Sequence, residues 1–189
     1  MAAMDRHWAT ANRTQVVVDA SSTATAADDG NHGNGLGNAR QPLSTIQAGV
    51  AAVVAGGTVN VKDGAYTLAG ELDIAKSLTL KGQSQAGTVI GSTSTGYGIF
   101  VDADHVTLSD FTFNPNAAGS YGIKVQPNPN GYDPSDRLQD FAIRNVAINN
   151  PKKTGLDLNG VNGATIDNVT VTGSTNGNGI ALTDSADVT

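Results

Sequence analysis

Gly98-Ile99-Phe100-Val101, Gly122-Ile123-Lys124-Val125, Gly155-Leu156-Asp157-Leu158 and Gly179-Ile180-Ala181-Leu182 repeat one pattern: glycine, aliphatic, variable residue, aliphatic. Their glycines are 24, 33 and 24 residues apart. The long interval carries about nine extra residues, and 127–137 is the segment whose Pro, Asn and Gly content marks an insertion. Between the copies runs a second pattern, Val106-Thr107-Leu108-Ser109-Asp110-Phe111-Thr112-Phe113. It returns as Phe141-Ala142-Ile143-Arg144-Asn145-Val146-Ala147-Ile148 and as Ala164-Thr165-Ile166-Asp167-Asn168-Val169-Thr170-Val171. Apolar residues alternate with polar ones, as in a strand with one buried face. The alternation breaks once per copy, at Asp110, Asn145 and Asn168. A break at an Asp or Asn predicts a bend between two strands, with stacked side chains hydrogen-bonding from copy to copy.

Two patterns on one period define a solenoid. Each turn of about 24 residues supplies three short strands, and each strand pairs in parallel with its counterpart about 4.8 Å away. One turn cannot bury its own apolar face, but a stack of turns encloses a continuous core.

The same alternation reads backward from residue 98 through Val89 and Ile90, Leu78 and Leu80, and Val59 and Val61. Before it, Ile46, Val50, Val53 and Val54 recur at helical spacing. Ser44 is the expected N-cap of that helix, Gln47 completes a capping box, and Gly56-Gly57 is the expected stop. Gln15 to Asp19 reads as a short strand, and 20–40 as a Ser-, Asn-, Asp- and Gly-rich loop. The expected organisation is a strand and loop over 1–41, a capping helix over 42–57 and coils over 58–189.

Pro42-Leu43-Ser44-Thr45-Ile46-Gln47-Ala48, Gly56-Gly57-Thr58-Val59-Asn60-Val61, Asp63-Gly64-Ala65-Tyr66-Thr67 and Ser77-Leu78-Thr79-Leu80-Lys81-Gly82 complete the picture. From Gln41 onward the chain resembles the right-handed parallel β-helix superfamily. That superfamily includes pectate lyases, alginate epimerases and lyases, tailspikes and bacterial surface proteins. The resemblance implies an all-β, right-handed parallel β-helix with an N-terminal capping α-helix. It also implies an extracellular or bacterial cell-surface location, with ligands lying along the sheet of the Gly-aliphatic strands.

On those strands the aliphatics face inward, so the variable positions form outward rows. One row is Phe100, Lys124, Asp157 and Ala181; the next is Asp102, Gln126, Asn159 and Thr183. The insertion follows one of these strands and adds Tyr132, Asp133, Asp136 and Arg137. An aromatic ring to stack on a sugar, cations for a carboxylate and acids for proton transfer suit a polysaccharide, including an acidic one. Lys124, Asp157 and Arg137 are the candidates for catalysis, and Asp133 with Asp136 for calcium. Tyr132-Asp133-Pro134-Ser135-Asp136 is similar to the Asp-Pro-His-acid motif of alginate epimerases, with Ser135 where their catalytic His stands.

Three functions follow from these features. The first, and the working reading, is an adhesin-type module that binds polysaccharide. The second is the N-terminal part of a uronate lyase or C5-epimerase, and the third is a structural stalk. His105 beside Asp104 and Asp102, and the Asp28–Asn34 loop, are minor metal candidates. His7 and Trp8 receive no role.

Composition narrows the partners. A net charge of -6 with scattered basic residues lacks the cationic stripe that nucleic acid requires. No apolar stretch approaches the roughly 20 residues of a membrane-spanning helix. There is no cysteine, hence neither a disulfide framework nor a thiolate metal site. Met1 to Asp5 lacks a signal-peptide pattern, which points to a removed signal, another export route or a start within a longer chain. Thr189 falls within a coil, so the remainder of a longer polypeptide is an expected partner.

Overall fold

A computed structural model describes residues 13–23, 41–115, 120–127 and 135–189. In chain order the elements begin with β1 (Gln15–Val18), α1 (Ile46–Ala52), β2 (Gly57–Val61), β3 (Gly64–Leu68) and β4 (Leu72–Ile74). They continue with β5 (Leu78–Gly82), β6 (Thr88–Ser92), β7 (Tyr97–Val101), β8 (Thr107–Pro115) and β9 (Tyr121–Val125). The last are β10 (Leu138–Gln139), β11 (Ala142–Asn149), β12 (Leu156–Asn159), β13 (Val161–Asn162), β14 (Thr165–Thr172) and β15 (Ile180–Thr183). The registered strand pairings are all parallel. The architecture is a β-solenoid of about 5 turns and about 24 residues per turn.

Three walls enclose the core. The first is the order β1-β2-β5-β8-β11-β14; the second joins β3 and β6 to the later parts of β8, β11 and β14. The third is the five-stranded sheet β4-β7-β9-β12-β15. Register builds the core into stacks of like side chains. In the first wall Val16, Val59, Leu80, Leu108, Ile143 and Ile166 succeed one another. In the third, Ile74, Val101, Val125, Leu158 and Leu182 do the same. Each aliphatic removed from water contributes about 1.5–3 kcal/mol, which makes the stacked core the dominant stabilising term. It ends in a partly open coil, where Ile180 and Leu182 are 41% and 52% exposed.

The long strands β8, β11 and β14 turn a corner without ending. Asp110, Asn145 and Asn168 sit at the bend with φ of 62°, 52° and 50°. Asn and Asp tolerate this left-handed region better than most residues. Asn145 Nδ2 donates to Asp110 Oδ1 at 2.9 Å, and Asn168 Nδ2 to Asn145 Oδ1 at 2.9 Å. The expected ladder of stacked polar side chains is therefore present.

The helix differs from expectation at both ends. Thr45, not Ser44, is the N-cap, and its side chain accepts from the Ala48 N–H at 3.2 Å. With the cap one residue later, the capping-box position falls on Ala48 and Gln47 has no such role. The helix stops at Ala52 because Val53 turns extended to bury its side chain, before Gly56-Gly57 is reached. Lys76 Nζ donates to the carbonyls of Val53 and Ala51 at 2.6 and 3.1 Å, satisfying helix-end acceptors. Ile46, Gly49 and Val50 are buried, and the helix packs on β1, β2 and β3 over the first coil. Gly49 is required there, since a Cβ would strike the side chains of Val18 and Val59. No described helix is long and apolar enough to cross a membrane.

Candidate functional site

The Gly-aliphatic copies form β7, β9, β12 and β15, and β4 precedes them in the same sheet. Register lines up Asp73, Phe100, Lys124, Asp157 and Ala181, one per coil, on the outer side. The predicted row thus exists, extended by Asp73. Lys124 Nζ lies 2.9 Å from Asp157 Oδ2, and the two side chains are only 7% and 16% exposed. Phe100 is buried outside the continuous core cluster, on the face where sequence alternation sent it.

The next row holds together in part. Asn159 Nδ2 donates to Gln126 Oε1 at 3.1 Å, and Asn159 is in register with Thr183. Asp102 follows β7 directly, and its backbone N–H donates to the Ile74 carbonyl at 3.0 Å. Asn159 Oδ1 is a buried acceptor without a hydrogen bond.

The glycine that heads each copy has a physical cause. A Cβ at Gly98 would strike the Phe113 ring, and one at Gly155 would strike Val171. At Gly122 it would meet the Gly155 carbonyl oxygen and Ile148. These glycines stand at an inside corner. Because Gly98 and Ile99 both face the core, the alternation slips by one. Tyr97 therefore emerges on the same outer side as Phe100.

That slip creates an aromatic group beside the charged row. Tyr97 and Tyr121 are in register, with ring centroids 5.1 Å apart, and Tyr97 lies 5.4 Å from Phe100. Lys153 Nζ sits 4.8 Å above the Tyr121 ring, a cation–π contact. Glu71 borders the group. Burial, then the neighbouring Asp73, push its carboxyl up, while the Tyr97 backbone N–H donates to it and opposes the rise. Burial also pushes the Tyr97 hydroxyl up, helped by Tyr121, Asp157 and Glu71.

Sequence reasoning missed Tyr97, Tyr121, Glu71, Asp73 and Lys153. Tyr-Gly recurs at 97–98 and 121–122, so the tyrosines were detectable as part of the repeat. Leu72-Asp73-Ile74 keeps the alternation, but Glu71 stands where later copies have glycine, and the marker failed there.

The described insertion residues stand elsewhere. β10 pairs with β13, beyond the downstream end of the five-stranded sheet. Exposed Asp136 and half-buried Arg137 precede β10 at that edge, rather than in the row of Lys124 and Asp157. The Arg137 carbonyl accepts from Gln139 Nε2 at 2.7 Å. Tyr132 and Asp133, and with Asp133 half of the expected calcium pair, lie outside the described residues, as do His7, Trp8 and the Asp28–Asn34 loop. Among the described residues no group of three His, Asp or Glu side chains is placed to hold a metal ion. His105 does not start a strand. It occupies a corner with φ 55°, and its Nδ1 is 3.2 Å from Asp140 Oδ2 on the next coil. Asp104 Oδ1 instead accepts from the Gln139 N–H at 2.7 Å.

Residues 97–189 match the family model described as the right handed beta helix region. No curated protein and no solved structure matches the chain. The coil geometry and the family match agree, and the chain is a right-handed parallel β-helix.

Proposed function

We propose that this chain is an extracellular carbohydrate-binding β-helix module whose ligand lies along the outer side of the five-stranded sheet. The observation that carries this reading is the half-buried Tyr97–Tyr121 pair, 5.1 Å apart on successive coils. Aromatic faces repeated at the coil spacing suit a ligand that is itself a repeating chain. Sugar C–H faces stack on such rings. Hydroxyl groups find acceptors and donors in Asp73, Asp157, Gln126 and Asn159 alongside. An inert stalk needs none of this on its outer side. The location follows the resemblance to secreted and surface β-helices.

The catalytic reading draws less support from the same face. A uronate lyase or C5-epimerase needs an acid and a base free to move a proton. Lys124 is tied to Asp157 at 2.9 Å, and among the described residues this sheet carries no histidine.

Affinity electrophoresis through gels containing individual polysaccharides tests the proposal. At least one polymer should retard the protein, and Tyr121→Ala should weaken that retardation about tenfold, the loss expected for one stacking aromatic. A chain that runs unretarded in every gel sinks the reading. Release of unsaturated uronate in the same mixtures would replace it with the catalytic one.

A further inference from the structure

We infer that the polymer held on this face is uncharged, and that uronate polymers are refused. The inference rests on the carbohydrate reading above and names the substrate class of that same site. Its basis is the distribution of charge around the aromatic group.

Two lysines stand on this face: one is paired with a carboxylate, and the other keeps its charge beside the rings. Lys124 is neutralised by Asp157 at 2.9 Å in a half-buried setting, and Lys153 sits over the Tyr121 ring at 4.8 Å. Glu71 and Asp73 remain at the head of the row, in register with the strand that carries Phe100. They are close enough for Asp73 to push the Glu71 carboxyl up, and Glu71 and Asp157 both add to the rise at the Tyr97 hydroxyl. With Asp157 set against Lys124, Glu71 and Asp73 face the single cation of Lys153, and the excess charge beside Tyr97 is negative. A uronate carboxylate stacked there would add a like charge to a poorly solvated cluster, which is the repulsive element that rejects a wrong ligand.

An uncharged sugar meets the same groups favourably. Ionised carboxylates are acceptors only, and sugar hydroxyls are donors.

The test compares soluble β-glucan, β-1,4-mannan, xyloglucan and dextran with polygalacturonate and alginate. Each is offered to the native chain and to Tyr121→Ala, with calcium and with a chelator, and circular dichroism checks that the variant is folded. The expected result is binding of at least one uncharged polymer, about tenfold weaker for Tyr121→Ala, and none of either uronate polymer. Uronate binding, calcium-dependent or not, overturns the charge assignment while leaving a carbohydrate site. Binding of an uncharged polymer that ignores Tyr121→Ala overturns the placement on this face. Failure of every polymer overturns the carbohydrate reading and the inference with it.

Discussion

Asn145 does two jobs at one corner. Its backbone holds the left-handed bend at φ 52°, and its side chain donates to Asp110 and accepts from Asn168. Asn145→Ala removes both hydrogen bonds and places a Cβ-bearing residue without a compensating side chain in a disfavoured region. A loss of about 2 kcal/mol is expected in denaturant unfolding. Asn145→Gly restores the backbone freedom but not the ladder, and should lose about 1 kcal/mol. Equal stability of the alanine variant and the native chain would show that the ladder contributes nothing.

Glu71 has the opposite character, because its burial opposes folding when the carboxyl is ionised. Burial and Asp73 raise its carboxyl above the ordinary value. The folded chain thus holds that proton more tightly than the unfolded chain. The stability it contributes is full below the unfolded carboxyl value and is lost as pH rises through the raised, folded one. Glu71→Gln should therefore melt higher than the native chain at neutral pH. The difference should vanish as the solution is acidified below the ordinary carboxyl range. A variant that melts lower at neutral pH would mean that the Tyr97 N–H contact outweighs burial.

The helix and the strands of the third wall show how far local signals reach. Thr45→Ala should cost about 1 kcal/mol through the lost N-cap, while Ser44→Ala should be nearly silent, as thermal unfolding of the two variants will show. Sequence alone named the wrong one. Ser and Thr are both good caps, and the choice was made by burial of Val53 and by Lys76 closing the far end, both tertiary effects. Strands repeated in register were readable because alternation and repeat period agreed, as at Ile99-Phe100-Val101 and Ile123-Lys124-Val125. From those the outward row of Phe100, Lys124 and Asp157 followed directly. Tyr97 and Tyr121 were not placed, because strict alternation sends them inward and only the glycine corner turns them out. Lys153 was missed for another reason. It reaches Tyr121 across coils from a segment outside the regular strands, and no one-dimensional pattern encodes that contact.

In the molecule as a whole, a solenoid separates stability from recognition. The inward stacks supply the folding energy, so the outer side of any wall is free to vary. Here the three walls differ. The corner between the first and second walls carries the Asp110–Asn145–Asn168 ladder, a self-satisfied structural row. The third wall carries rings and a Lys–Asp pair. That asymmetry is the reason for proposing the third wall as the ligand-binding face.

The direct test is nuclear magnetic resonance of the chain with a polymer that it binds, reading nuclear Overhauser contacts between sugar protons and tyrosine rings. Contacts to Tyr97 and Tyr121 together are expected, and none to Tyr66, which lies in the second wall with its hydroxyl bonded to the Lys62 carbonyl. Contacts to Tyr66, or binding that leaves both Tyr97 and Tyr121 untouched, would contradict the proposed placement.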